Sequence, residues 1–472
     1  MNRIFSLCCL FLLLFSVGNN TGWTAVSEQA STEVPDLSAI EVLDLATAQQ
    51  IALAANPDMA AALARMEQAR ARIDQAVAAW WPSLDLSASG TKTRLSENAY
   101  EAKEAFALLT GEPVDRTTDS FNAALKATWV LFDGFYRKYK IAQARFGEKS
   151  AIAARRDAQR MLALNVAEAF FNAQLAQTRV DIAEADKKFY ESQLRDATNR
   201  YEVGIGKWGD VLNIKVQLNS AKTSLMLGKR QFEAAGYGLA ALMGIADAAF
   251  PATLRLAKLD RDIHFTAATE DADKLIGEAL AARPDLQRLE MMTEEARAGK
   301  EQARSTRYPK VQVFGMVNGN RYGDPALGVD DFGDSIGVAL AWNLFRGGAD
   351  QARFVEAGHK EREAIYTLAS LRNRVASEVR QDLALLAAAE EQVRLQRESV
   401  DLVRENRDLA KNEYEAGEAS LVRLNEAQRD LTTTYGRLAQ ALVSYHQARH
   451  RLLAATGKNI MASASASGQP AK

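Results

Sequence analysis

The chain has 472 residues, 58 Lys and Arg against 60 Asp and Glu, 47% hydrophobic residues and only 9 Pro. That length suits two or three ordinary domains or one duplicated fold, and a net charge of −2 lacks the basic face that nucleic-acid binding needs. The two cysteines, Cys8 and Cys9, fall inside an N-terminal leader, which excludes thiol catalysis, disulfide frameworks and Cys-zinc sites in the mature chain.

Residues 1–25 read as a secretory signal: Arg3, an apolar run from Ile4 to Val17, then a polar stretch ending in Trp23-Thr24-Ala25. The run is shorter than the roughly 20 residues that cross a bilayer, and no later segment is long and uniformly apolar, so no transmembrane helix is expected. Lipid attachment is disfavoured, because Cys8 follows Leu7 rather than a small residue. Residues 26–40 are polar and read as irregular.

A helix is predicted from Leu43 to Asn56, halted by Pro57, with a twin from Leu275 to Arg283 before Pro284, a shift of 284 − 57 = 227. The residue ahead of a proline is pushed out of the helical region. Second helices follow, Pro57 to Trp80 and Pro284 to Arg307, stopped at Pro82 and Pro309. The period then changes from helical to two: Leu84, Leu86 and Ala88 alternate with polar residues, as do Val311, Val313 and Val317 with Gln312, Phe314, Met316 and Asn318. These are strands. Returning strands run through Phe121, Leu125 and Trp129 to Leu131, and through Ile336, Val338, Leu340 and Trp342 to Leu344. The connections, 97–118 and 321–333, read as polar loops. One face of each hairpin is apolar or small; the other is assigned Asp85, Ser87, Lys92, Asn122, Lys126, Gln312 and Asn318.

The stretches 137–202 and 350–416 contain no Pro and one Gly each, Gly147 and Gly358, so each reads as a single helix roughly 100 Å long at 1.5 Å per residue. They end in Tyr201-Glu-Val-Gly204 and Tyr414-Glu-Ala-Gly417. Beyond the second turn, Leu424, Ala427, Leu431, Thr434, Leu438, Ala441, Tyr445, Ala448, Leu452 and Ala455 alternate in steps of three and four, a coiled-coil seam. Val211, Ile214, Leu218, Ala221, Leu225, Gly228, Phe232, Ala235, Leu239 and Leu242 repeat it 424 − 211 = 213 residues earlier. The chain is therefore read as a tandem duplication. A first repeat, 26–270, holds a hairpin at about 82–133, a long helix at 137–202 and a heptad helix at 209–243. A second, 271–460, holds a hairpin at 309–346, a long helix at 350–416 and a heptad helix at 420–456. Residues 244–269 read as an irregular link and 461–472 as a disordered tail.

Four strands of about 12 residues are long enough to cross a membrane, for which about 9–11 suffice, but too few to close a barrel, so several chains must pool them. Trp80, Trp81, Phe132, Phe135, Tyr136, Tyr308 and Phe345 gather where helix meets strand. They suit a membrane-interface girdle; the alternative is a packed junction between helix and sheet. The fold class is α+β: long coiled coils with a four-stranded contribution per chain to an oligomeric barrel.

With its paired Asn/Arg-Pro-Asp openings, its hairpins ending Leu131-Phe-Asp-Gly134 and Leu344-Phe-Arg-Gly347, and its two Tyr-Glu-x-Gly turns, nearly the whole mature chain resembles the TolC-like outer-membrane efflux factors. The resemblance implies a homotrimer with a twelve-stranded barrel in outer-membrane lipid, over a helical tunnel that extends into the periplasm. It implies partners too: a periplasmic adaptor (membrane fusion) protein and an inner-membrane pump or ABC transporter, as in efflux or type I secretion. It places a closing constriction at Tyr201, Asp210, Tyr414, Arg423 and Glu426, and adaptor contact at the turn residues Gly204 and Gly417. Where the family carries a second acidic residue this chain has Arg423, which is expected to pair with Glu426 at i and i+3.

No cofactor, metal or catalytic constellation emerges. Gly204-Ile-Gly206-Lys-Trp-Gly209 imitates a dinucleotide motif but follows a helix, not a strand. His446 and His450 offer two ligands where zinc takes three or four, and read as surface residues. His264 and His359 stand alone. The rival reading is a soluble exported coiled-coil scaffold without a pore.

Overall fold

A computed structural model describes residues 41–459 apart from 112–113, 251–253, 261–262, 264–270 and 324. The expected signal (1–25), the 26–40 segment, the 461–472 tail and His264 lie outside the described residues. In order, the elements are β1 (Val42–Leu43), α1 (Leu45–Ala55), α2 (Pro57–Ala78), β2 (Ser83–Arg94), α3 (Glu97–Thr110), β3 (Thr117–Phe132), α4 (Tyr136–Glu202) and α5 (Trp208–Leu242). They continue as β4 (Arg255–Leu256), α6 (Ala272–Ala282), α7 (Pro284–Ser305), β5 (Lys310–Tyr322), β6 (Phe332–Ala341), α8 (Ala349–Ala416) and α9 (Leu421–Ala455).

The rods α4 and α8 run unbroken for 67 and 68 residues, about 100 Å each. α5 folds back along α4 and α9 along α8, while α9 also lies against α4. All ten seam positions of α9 are buried; in α5, Leu225, Phe232, Ala235 and Leu242 are only half-buried.

The duplication carries into the packing. α1 sets Ala48 and Ala52 among Leu162 and Val166 of α4, and 227 and 213 residues later α6 sets Leu275 and Ala279 among Val375 and Val379 of α8. The residue before each helix-starting proline closes its repeat. Asn56 Nδ2 donates to the Leu242 carbonyl at 2.8 Å, and Arg283 Nη1 donates to the Ala455 carbonyl at 3.1 Å. Each satisfies a carbonyl that the end of a helix leaves unpaired. Arg283 also holds Asp285 and Glu378, both at 2.7 Å, while Arg160 caps Ala454 at 3.0 Å. Burial alone would raise the Asp285 carboxyl, but the bonds and charge of Arg283 keep it below its usual range.

The four-stranded sheet is antiparallel in the order β2-β3-β5-β6, with a bulge between Val130 and Phe132. Register rows such as Leu84, Ala127, Gly315, Ile336 and Trp129, Val313, Val338 form one apolar face. Rows such as Asp85, Lys126, Met316, Ser335 and Ser89, Asn122, Asn320 form a polar one. The apolar face is bare: Leu86 is 79% and Ile336 78% exposed.

Several expectations are corrected. Residues 97–118 are not all loop: four alanines among Glu, Lys and Leu, all strong helix formers, make α3, which ends at Gly111. Val42–Leu43 is not helical but pairs in parallel with Arg255–Leu256, giving strand structure to a link read as irregular. β6 stops at Ala341, so Trp342 and Leu344 lie beyond it, and α2 stops at Ala78, before Trp80. Lys92 belongs by alternation to the apolar face. It sits at that face's distal end, where its ammonium lies 3.4 Å from Asp119.

Removing Arg283 takes the near partner from Asp285 and Glu378 and leaves the buried Asp285 only the more distant Arg160 at 3.8 Å as a cation. Arg283→Ala is expected to cost about 3–5 kcal/mol and to lower the thermal midpoint in detergent by several degrees. Arg394→Ala, which breaks an exposed pair with Glu391, is the control expected to change it little.

Candidate functional site

Two regions collect the candidate residues: the junction between helices and sheet, and the free tip where the rods turn. At the junction the two repeats use one device. Trp129 Nε1 donates to the Trp80 carbonyl at 3.0 Å, and Trp342 Nε1 to the Arg307 carbonyl at 3.2 Å, tying each returning strand to the end of the helix before its hairpin. Phe135 stands edge-on to Phe132 at 5.6 Å and to Tyr308 at 6.5 Å. Its φ is +70°, where the second repeat has Gly348 at +86°; the two ring contacts hold a side chain in a conformation that favours glycine. Phe132 and Tyr308 thus belong to an interlocked junction, whereas Trp81 and Phe345 are 75% and 84% exposed. Arg137 lies 4.2 Å over the Trp80 ring and bonds Asp133 at 2.8 Å. At the equivalent positions the charges are exchanged, as Arg346 and Asp350, 3.9 Å apart.

At the tip, Gly204 and Gly417 take φ of +82° and +81°, and a Cβ on either meets nothing; both are turn residues presented to solvent. The two turn tyrosines do different work. Tyr201 packs against Trp208 of its own hairpin at 5.0 Å. Tyr414 reaches the other hairpin, where the Arg200 guanidinium sits 5.3 Å from its ring; burial, with Asp210 next, pushes its phenol up. Leu421 enters the apolar cluster of Tyr190, Val211 and Ile214, and Asn425 donates to Asn213 at 3.3 Å. Arg423 does not pair with Glu426. Its guanidinium lies 3.3 Å from Glu413 across the turn, because Arg423 occupies the first turn of α9 beside the last turn of α8, while Glu426 is exposed. Glu413 and Arg200 carry no periodic signal, but their 213-residue equivalence and opposite charge were available to find them.

The outer membrane efflux protein model matches residues 48–245 and 275–458. The chain belongs to this family. It is an outer-membrane channel that extends into the periplasm. It is 26% identical over 346 residues to the alkaline protease secretion protein AprF of Pseudomonas aeruginosa, covering 72% of this chain and 70% of AprF. It is 25% identical to the pyoverdine export outer membrane protein OpmQ of Pseudomonas putida, covering 92% and 91%. Its fold resembles the open-state crystal structure of the Neisseria gonorrhoeae MtrE outer membrane channel, with a TM-score of 0.71 at 20% identity over 92% of this chain and 95% of MtrE.

The histidines expected at the surface are instead half-buried: His446 stacks on Phe171 at 4.7 Å, and His450 lies 5.5 Å from the same ring. Burial first, then Arg449 for His446 and His446 for His450, pushes both down to about 4. Unfolded histidine titrates near 6.5, so between about 4 and 6.5 the unfolded chain binds more protons. Stability from these rings is present above that window and lost as pH falls through it. His446→Gln with His450→Gln should flatten the dependence of the thermal midpoint on pH between 6.5 and 4; an unchanged slope would refute this account.

Proposed function

We propose that three copies of this chain form a passive exit duct for a tripartite efflux pump or type I secretion system, a conduit and not a catalyst. The observation that carries this reading is the open four-stranded sheet with one bare apolar face. Its outer strands β2 and β6 need partners in lipid, where each unpaired backbone group costs several kcal/mol. The helices support it. α8 buries one seam through Val393 and Val400, yet leaves Leu395, Leu402 and Leu409 exposed at a seven-residue repeat with Leu385 before them, as α5 leaves Leu212, Val216 and Met226 exposed. Those open seams lie on the two outer helices, where neighbouring subunits would meet. A soluble scaffold has no use for lipid-facing leucines.

At the tip the reading assigns closure to Tyr414–Arg200, Arg423–Glu413 and Asn425–Asn213, with Tyr201, Asp210 and Glu426 around them. Gly204 and Gly417 are the turns that a periplasmic adaptor would grip, coupling the duct to an inner-membrane pump or ABC transporter. Each closing contact is weak, about 0.5–2 kcal/mol, which suits a lock that docking must undo.

Light scattering of the detergent-solubilised protein should give three protomer masses, and a monomer that stays in solution without detergent would end this reading. In planar bilayers, Arg200→Ala combined with Arg423→Ala is expected to raise single-channel conductance several-fold; a resting value in that double variant removes the lock.

A further inference from the structure

At the foot of the sheet, a recess of about 670 Å³ opens among strand ends and rod starts, lined in part by Val130, Arg137, Lys140, Lys310, Ala341 and Arg346. Val130, Lys310 and Ala341 all belong to the polar face by register, which places the recess on the side away from lipid. Its charge is lopsided. Arg137 is spent on Asp133 and on the carbonyls of Ala79 and Leu131 and Arg346 is shared with Asp350 at 3.9 Å, leaving Lys140 and Lys310 beside it with no acid but Asp133 on the wall itself. The only other charges in the lower rows of the polar face, Asp85 and Lys126, oppose each other across β2 and β3.

Immediately above, that face carries its two large apolar side chains, Phe314 and Met316, in an otherwise hydroxyl- and amide-rich surface. Phe314 shares a row with Ser83, Thr128 and Gly337. Its ring lies so close over Gly337 that a Cβ there would stand 2.8 Å from Cζ. Lys310 and Phe314 lie on one face of one strand, their backbones about 14 Å apart at ~3.4 Å per residue. A cationic pocket thus adjoins an apolar platform, the pairing that fixes an amphiphile by its head and body.

We propose that this recess is a solute-binding station for amphipathic organic anions: a carboxylate or sulfonate held by Lys310, Lys140 and Arg346, and a flat apolar body laid on Phe314. The proposal rests on the channel reading, since it requires the polar face to line the lumen, and it gives the duct a preference of its own.

The test titrates naphthalene-2-sulfonate into the full chain in lipid nanodiscs by calorimetry, subtracting empty discs. Saturable binding is expected, weakened at least fivefold in Lys310→Gln and in Phe314→Ala and kept in Lys310→Arg. Val338→Ala, on the lipid face, should bind as the wild type does, and the uncharged 2-naphthalenemethanol at least fivefold more weakly. Absence of saturable heat, equal binding of the uncharged alcohol, or wild-type affinity in either weakening variant overturns the station. None of these touches the duct itself, which fails if the wild-type protein is a detergent-free soluble monomer or does not conduct in planar bilayers.

Discussion

The outward-facing amides and carbonyls of β2 and β6 set the terms for the rest of the molecule. Hydrocarbon supplies no hydrogen bonds, so a sheet that enters it must have no edge. Four strands cannot curl shut within one chain, and the apolar face that exposes Leu86 and Ile336 to solvent in a lone subunit has no reason to exist outside lipid. The rods inherit this requirement. Because the strands must stand side by side around a ring, the helices that continue from them hang as a palisade, and the outer helices α5 and α8 keep a second apolar seam for whatever stands next to them.

The repeat is held together by contacts of another kind. Helix ends are where a long coiled coil is least self-sufficient, since the last carbonyls have no donors. Both repeats answer with the side chain that precedes a helix-starting proline, Asn56 in one and Arg283 in the other. The proline is therefore more than a helix stop: by forcing the preceding residue into an extended conformation it aims that side chain at the neighbouring helix end. The second repeat reinforces the contact with Arg160, Asp285 and Glu378; the first makes do with one amide.

Much of this was legible in the sequence. The seam positions, the unbroken rods and the strand alternation follow from period alone, and the two shifts of 213 and 227 residues exposed the duplication. What escaped were contacts between distant residues. The Asn56 and Arg283 clamps join positions 186 and 172 residues apart, and only superposing the two shifts would have flagged them. The α3 helix was hidden by its polar residues although its alanines favoured it. Arg423 finds Glu413 rather than Glu426 because two helices meet at the turn, a contact that spacing along one helix does not show. The histidines were read as surface groups because periodicity does not reveal that Phe171, on a different helix, waits opposite them.

The charge exchange between the repeats reaches beyond local pairing. Asp133 and Arg137 become Arg346 and Asp350, and at the opposite end Arg200 and Asp210 become Glu413 and Arg423. Two helical hairpins related by one 213-residue shift therefore present inverted charges at both extremities. In the proposed ring of three chains the outline would be six-fold and the potential only three-fold, so a ligand of six identical arms would find two kinds of berth.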